Sequence, residues 1–294
     1  MKLDLVYTFV DNTDEKWKSK YHRYYPNSDP LRHNFNNEIS LSLRSVEKYF
    51  GWVNKIYIVT DNQTFALDML DVSFRQKIQF VDHTEIIQQE FLPCFNSAAI
   101  ELFIWKIAGL SESFVYLNDD VFFGRHLSDD DFMTDQRLNQ YFFVNSCSPY
   151  IFGEYGCIYD SSYRVFHNKW PQTSDFYPVN GHMAHILNKS VCDKLWVDFE
   201  NELLMTAASR IRTDDCWGER RNFSFLTLHA MELYRTNLAE FVSDIGPVYQ
   251  DLTSEGYQTL FRTRPKMFCI NNITDTNLWN RFSDRFLKND RIFI

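Results

Sequence analysis

The chain has 294 residues, of which 45% are hydrophobic and 17% aromatic, and its formal net charge is −9 at pH 7. A chain of this composition buries a large core, which excludes extensive disorder. The acidic balance argues against sequence-independent binding of nucleic acid, because such binding depends on clustered lysine and arginine.

The cysteines are scattered, with neither a CxxC pair nor the spacing of a zinc site. We expect six buried structural thiols in a reducing compartment: Cys94, Cys147, Cys157, Cys192, Cys216 and Cys269. No stretch is long enough to span a bilayer, and the chain opens on a strand-like run rather than on a secretory signal. We therefore expect a cytoplasmic protein, at most peripheral at the inner face of the membrane.

The first predicted strand covers residues 3–10 and ends at Asp11. A carboxylate at this position of an α/β sheet commonly meets a nucleotide, although Asp is as often a turn former. A helix follows, because apolar residues recur at the spacing of one helical face: Ile39, Leu43, Val46 and Phe50. Glu38 lies in its first turn, where the helix dipole favours a carboxylate, so a structural role and a functional one are both open. Arg44, on the same helix, is either a surface residue or a phosphate ligand.

Two further strands are predicted over residues 55–60 and 77–81, and they end at Asp61 and Asp82. Together with the first strand and the helix they form a βαβ arrangement, whose crossovers are right-handed. An Asp at the end of each strand predicts an acidic rim along one edge of a parallel sheet, suited to a metal ion.

A helix is predicted from Ser97 to Gly109, with Asn96 as its N-cap. Its apolar stripe consists of Ile100, Ile104 and Ile107. The next strand, residues 113–117, is a continuous apolar run of the kind found in buried parallel sheets.

Asp119 and Asp120 follow that strand at the edge where open α/β sheets bind their ligands. A solvated turn is one interpretation of this pair. The other is a divalent cation shared with a substrate diphosphate, since two carboxylates beside a core are costly unless paired.

The second half of the chain is harder to interpret. Residues 137–180 show no clear periodicity; strands are predicted over 140–145 and 150–152, and an irregular excursion that could form a lid or an acceptor surface follows them. His182 precedes a helix predicted over 189–202 and is either a structural hydrogen bonder or a functional group. Arg210 and Arg212 lie beside two aspartates and form either a solvated ion-pair cluster or a phosphate site. A further helix is predicted over 217–234. The last sixty residues contain no motif that we can interpret.

Four blocks of sequence, taken together, resemble the Stealth family of hexose-1-phosphate transferases, which includes bacterial capsular polysaccharide phosphotransferases. The first block is residues 6–11 with Trp17, similar to the family's YTWVDGxDxxW, with Asn12 in place of the usual Gly. The other three are residues 32–63, residues 92–120 and the weaker set His182, Thr206 and Arg212. In the second block Asn34 and Phe35 depart from the usual Arg-Asp, and in the fourth Ala184 replaces the Pro of the family's His-x-Pro.

The resemblance implies an α/β fold of glycosyltransferase-A-like, Rossmann-like type, with a mostly parallel sheet, helices on both faces and a helical or irregular C-terminal part. We expect a catalytic domain over residues 1–235 and an extension of unknown function over 236–294. The implied activity is bacterial capsule or exopolysaccharide synthesis, in which a sugar-1-phosphate moves from a nucleotide-diphosphate sugar, typically UDP-linked as in UDP-GlcNAc, to a glycan hydroxyl. A peripheral contact with a membrane capsule-assembly complex is a further expectation.

Roles for single residues follow from the resemblance and from the chemistry of phosphoryl transfer. Asp119 and Asp120 are expected to hold Mg²⁺ or Mn²⁺. His182 is the expected general base, and Glu38 shares that role or orients the acceptor. The remaining candidates are Arg212, Arg44 and Arg210 for the phosphoryl oxygens, Asp11 and Asp61 for the nucleotide, and Asn96 and Glu101 for the donor pocket.

Two other functions are consistent with the same fold. A metal-dependent glycosyltransferase would form a glycosidic bond and release a nucleoside diphosphate. A glycan-binding module would cleave no donor at all. The set of Asp119, Asp120, His182 and Arg212 argues against the binding module.

Overall fold

A computed structural model describes residues 2–26, 36–144, 153–211, 222–242 and 246–288. Its central feature is a five-stranded sheet in the order β3-β2-β1-β4-β9, in which the first four strands are parallel and β9 is antiparallel to β4. These strands are β1 (Asp4–Thr8), β2 (Ile56–Thr60), β3 (Ile78–Asp82), β4 (Ser113–Asn118) and β9 (His185–Asn188).

Both faces of the sheet are covered, which explains why its strands are continuously apolar. Successive residues of β1 and β4 alternate between two cores: Leu5 and Val115 belong to one, and Val6 and Tyr116 to the other. The helices are α1 (Glu15–Tyr24), α2 (Glu38–Tyr49), α3 (Val72–Arg75), α4 (His83–Ile86), α5 (Ser97–Glu101), α6 (Gly153–Lys169), α7 (Lys189–Asp198), α8 (Glu200–Ala208), α9 (Phe225–Arg235), α10 (Ser254–Thr263) and α11 (Thr276–Lys288). The predicted α/β class, with a mostly parallel sheet and helices on both faces, is confirmed.

Asp4 fixes the start of the sheet from a fully buried position. One of its carboxylate oxygens accepts hydrogen bonds from the Asn54 side chain and the Lys55 backbone, and the other accepts from the backbone and hydroxyl of Ser111. Four donors compensate the buried charge and join β1 to the segments that enter β2 and β4.

The C-terminal residues pack directly onto the first half of the chain. Strand β12 (Met267–Ile270) lies antiparallel to β5 (Val121–Phe123) and parallel to β11 (Val248–Tyr249). A second small sheet contains β6 (Met133–Thr134), β7 (Arg137–Val144), β8 (Pro178–Asn180) and β10 (Ala239–Val242). The division at residue 235 stays a prediction.

Several predicted elements differ from the structure. The helix predicted over 97–109 is a short α5 followed by a 3₁₀ turn, Ile104–Lys106. Instead of an irregular excursion, the segment from residue 153 forms the seventeen-residue helix α6. The strand predicted over 140–145 is confirmed as β7, which begins three residues earlier. The strand predicted over 150–152 lies outside the described residues. The helix predicted over 189–202 is divided into α7 and α8, and the strand β9 before it was not predicted.

The expectation of six free thiols is wrong for Cys157, which is disulfide-bonded. Cys94, Cys192 and Cys269 are free and buried. The cytoplasmic location, inferred in part from free thiols, stays a prediction. Within the described part of the chain no helix has the length and apolar character needed to cross a membrane.

Candidate active site

A cavity of about 260 Å³ opens at the carboxyl ends of β1, β2 and β4. The parallel register brings the ends of these strands to one edge, as the Asp-terminated strands predicted. Asp61, Asp119 and Asp120 all line the cavity, together with Glu38 from α2 and His182 from the segment before β9. The three aspartates therefore lie around one cavity at the carboxyl edge of the sheet, and their role in catalysis stays a prediction.

Three carboxyl groups are held close together in this cavity. Burial, followed by the charges of Asp120 and Glu38, raises the pKa of Asp119 well above its usual value. Burial also raises the pKa of Glu38, although the hydrogen bonds from the backbone and side chain of Asn36 counteract this. No lysine or arginine occurs among the described residues that line the cavity. The described part of the cavity lining is therefore acidic.

His182 lies against this acidic group. Its Nε2 is 3.2 Å from Oδ1 of Asp120 and 2.8 Å from the side-chain nitrogen of Asn118, the last residue of β4. Burial alone would lower the pKa of His182, but the nearby charges of Asp120, Asp119 and Glu101 outweigh burial and raise it. The neighbouring carboxylates therefore favour the protonated imidazole.

The C-terminal extension contributes a residue that the sequence did not indicate. Cys269 of β12 donates its S–H to Oδ2 of Asp120 over 3.4 Å, and the backbone of Ile270 donates to the carbonyl of Asp120. Burial and the Asp120 charge raise the pKa of Cys269 well above its usual value, so the group is a neutral thiol. Asn271, the next residue but one, lines the cavity. The apolar run of β12 was visible in the sequence, but its long-range pairing with β5 was not.

The residues at this edge fit a divalent cation. Oδ1 of Asp120 is buried, and among the described residues Nε2 of His182, 3.2 Å away, is the polar neighbour that the structure places against it. Single ligand atoms of Asp120, His182 and Cys269 lie within 4.8 Å of one another. A protonated thiol is a poor ligand for a hard cation, whereas the oxygens of Asp119 and Asp120 suit Mg²⁺ or Mn²⁺.

Two of the three predicted arginines, Arg44 and Arg210, do not line the cavity. Arg44 forms an ion pair with Glu47 of its own helix. The guanidinium of Arg210 donates to the backbone carbonyls of Glu90 and Leu92. Arg212 lies outside the described residues, so its role stays a prediction.

The remaining predicted residues have separate positions. Asp11 accepts hydrogen bonds from the backbone and hydroxyl of Thr13, as a turn residue does. Asn96 accepts from the backbone of Ala98 and so caps α5, as predicted. Glu101 lies in a neighbouring second cavity. Asp61 does line the first cavity, where it pairs with Lys20 at 2.6 Å.

Aromatic side chains form part of the wall of the first cavity. Trp17 of α1 and Phe95 meet edge to face, with ring centroids 5.6 Å apart, and both line the cavity with Phe9. Trp17 also stacks on Tyr21, with ring centroids 5.1 Å apart, and Trp17 and Phe95 are both buried, so they give this part of the cavity an apolar wall. Trp17 belongs to the first block of the resemblance, although its contact with Phe95 could not be read from the sequence.

Comparison with known proteins supports the resemblance. Models described as Stealth protein conserved region 2 and conserved region 3 match residues 32–141 and 181–231. A capsular polysaccharide phosphotransferase of Actinobacillus suis is 35% identical over 231 residues, covering 72% of this chain and 60% of that protein. One of Neisseria meningitidis serogroup B is 29% identical, covering 97% of this chain and 80% of the relative. The chain thus spans only about 60% of the first of these relatives. A solved structure of an active-site mutant of LgtC aligns with a TM-score of 0.49 and 13% identity, over 96% of this chain and 94% of that one.

Proposed function

Since this chain belongs to the Stealth protein family, we propose that it transfers a sugar-1-phosphate from a nucleotide-diphosphate sugar to a hydroxyl of a capsular or exopolysaccharide chain. The observation that carries the proposal is the grouping of Glu38, Asp119, Asp120 and His182 around one cavity. The A. suis and N. meningitidis relatives are named capsular polysaccharide phosphotransferases.

The reaction proposed is a substitution at phosphorus. The oxygen of the acceptor hydroxyl attacks the phosphorus that bears the sugar, and a new P–O bond forms. The bond from that phosphorus to the bridging oxygen of the diphosphate breaks, and its electron pair leaves with the nucleoside monophosphate. The hydroxyl proton goes to a base, so the products are a phosphodiester and a nucleoside monophosphate.

Each nearby residue has one part in this step. Neutral His182 takes the proton, which His182 can do near neutral pH. Glu38, held by its two hydrogen bonds from Asn36, orients the hydroxyl. Trp17 and Phe95 offer the nucleobase an apolar wall. Asp119 and Asp120 would hold Mg²⁺ or Mn²⁺, which supplies the positive charge that neutralises the diphosphate.

Product analysis tests the proposal. Purified protein is incubated with Mg²⁺ or Mn²⁺, a panel of donors (UDP-GlcNAc, UDP-glucose, UDP-galactose, GDP-mannose) and methyl glycosides or short capsule oligosaccharides as acceptors. We expect a nucleoside monophosphate together with a phosphodiester signal in ³¹P NMR. A nucleoside diphosphate with a new glycosidic bond would instead identify a metal-dependent glycosyltransferase. The failure of every donor to be cleaved would support a glycan-binding module.

A further inference from the structure

A second cavity, of about 110 Å³, lies beside the first and shares part of its wall. Ser97, Asn118 and His182 line both cavities. His182 therefore stands where the two cavities meet, with the carboxylates of Asp119 and Asp120 in the first cavity only. A ligand in the second cavity would approach the imidazole from a side that the first cavity does not offer.

The second cavity is lined by groups that suit a hydroxylated ligand. Glu101 lines it, and the hydroxyl of Tyr116 lies 3.2 Å from Oε1 of that carboxylate and 2.9 Å from Oδ1 of Asn118. His185, whose exposure is 5%, also lines it. A carboxylate, an imidazole and an amide together match the donor and acceptor groups of sugar hydroxyls.

The geometry of the transfer assigns this cavity to one substrate. The attacking and leaving oxygens lie roughly in line across the phosphorus, so the acceptor approaches from the side opposite the nucleotide. The nucleotide fits the aromatic and acidic first cavity. We propose that the second cavity binds the terminal saccharide of the acceptor and presents its hydroxyl to His182, an inference that rests on the proposed function. Glu101, predicted from the sequence to shape the donor pocket, is then an acceptor-binding residue.

Binding measurements on matched variants test this inference separately from turnover. Glu101→Gln removes the charge from the second cavity, and Glu90→Gln makes the same change on an exposed side chain outside both cavities. Binding of the methyl glycosides and capsule oligosaccharides is followed by saturation-transfer NMR, and binding of UDP-GlcNAc by calorimetry. Losing a hydrogen bond to a charged group typically weakens binding by roughly ten- to hundredfold. We expect that loss for the saccharide in Glu101→Gln, with donor affinity kept within about twofold, and no change in Glu90→Gln.

A second variant blocks the cavity by volume. Ala98 of α5 lines the second cavity but not the first, so Ala98→Leu should exclude the saccharide and leave UDP-GlcNAc binding intact. Ala208→Leu, at an exposed position of α8, is its control.

The two proposals fail in different ways. Three results would overturn the acceptor assignment. The wild-type protein binds no saccharide, both variants bind the saccharide as well as the wild type does, or the variants lose donor affinity as much as saccharide affinity. The proposed function would be overturned by release of a nucleoside diphosphate or by the absence of donor cleavage. Either result could occur even if the variants of the second cavity weakened saccharide binding as expected.

Discussion

Replacing His182 by Gln tests the proposed base most sharply. The Gln side chain is of similar length and keeps a polar group near Asn118, whose side-chain nitrogen lies 2.8 Å from Nε2 of His182. Gln cannot accept the proton of the acceptor hydroxyl. Losing a general base typically lowers kcat by about 10²–10⁴-fold. At about 1.36 kcal/mol per tenfold change, this is roughly 3–5 kcal/mol of transition-state stabilisation.

Release of nucleoside monophosphate from UDP-GlcNAc, followed at saturating donor and acceptor, measures this loss. The pH dependence is a second readout of the same prediction. In the wild-type protein kcat should fall as pH decreases through the pKa of His182, because only the neutral imidazole takes up a proton. Nearby carboxylates raise that pKa above its usual value despite burial, and a bound cation would oppose them. Gln does not titrate, so this acid limb should disappear in the variant.

His126→Gln is the matched control, because His126 is exposed and does not line either cavity. It should keep wild-type turnover and the acid limb. If His182→Gln keeps kcat within about tenfold of the wild type, short of the loss expected for a base, or retains the acid limb, His182 is not the base.

Three further results are expected. Asp119→Asn should stabilise the cation-free protein at pH 7 and abolish the rise in melting temperature that Mg²⁺ causes in the wild type. Burial and the neighbouring carboxyl groups raise the pKa of Asp119, and a carboxyl group with a raised pKa lowers the stability of the folded protein as pH rises through that pKa. An equal rise in melting temperature with Mg²⁺ in Asp119→Asn and the wild type would contradict the role of Asp119 as a metal ligand. Asp4→Ala should lower the free energy of unfolding in urea by about 3–5 kcal/mol, since it leaves buried donors unpaired, and a loss below about 1 kcal/mol would refute the role given to Asp4. Burial lowers the pKa of His83 to about 4 and those of His185 and His229 to about 3. Only the unfolded chain then takes up these protons as pH falls from 6.5 to 5, which should cost about 2 kcal/mol for each histidine in urea unfolding, whereas a flat profile would contradict it.

The sheet and its acidic edge were predictable because local sequence specifies them. A strand buried on both faces is a continuous apolar run, and the residue that ends it lies at the carboxyl edge whatever the rest of the chain does. This is why Asp61, Asp119 and Asp120 could be assigned to one edge before any coordinates. The position of His182 came from the resemblance, since nothing in its local sequence connects it to Asn118 and Asp120.

Elements that depend on distant contacts were not predictable. Helix α6 has no clear apolar period, and it packs against α9 more than sixty positions later in the chain. Strand β12 pairs with β5 across more than 140 positions, so the contact of Cys269 with Asp120 could not be found from spacing. Arg44 seemed equally suited to solvent and to phosphate, and its pairing with Glu47 became visible only in the folded helix.

The central claim is that the acceptor attacks phosphorus rather than the anomeric carbon, and an isotope label tests it directly. UDP-GlcNAc, or whichever donor the enzyme cleaves, is prepared with ¹⁸O between the anomeric carbon and phosphorus. The isotope shift is then followed through the reaction by ³¹P NMR. Attack at phosphorus leaves the label in the phosphodiester product, joined to both sugar and phosphorus, and the released nucleoside monophosphate carries none. If the label instead leaves with a nucleoside diphosphate, the bond to carbon was broken and the claim is wrong.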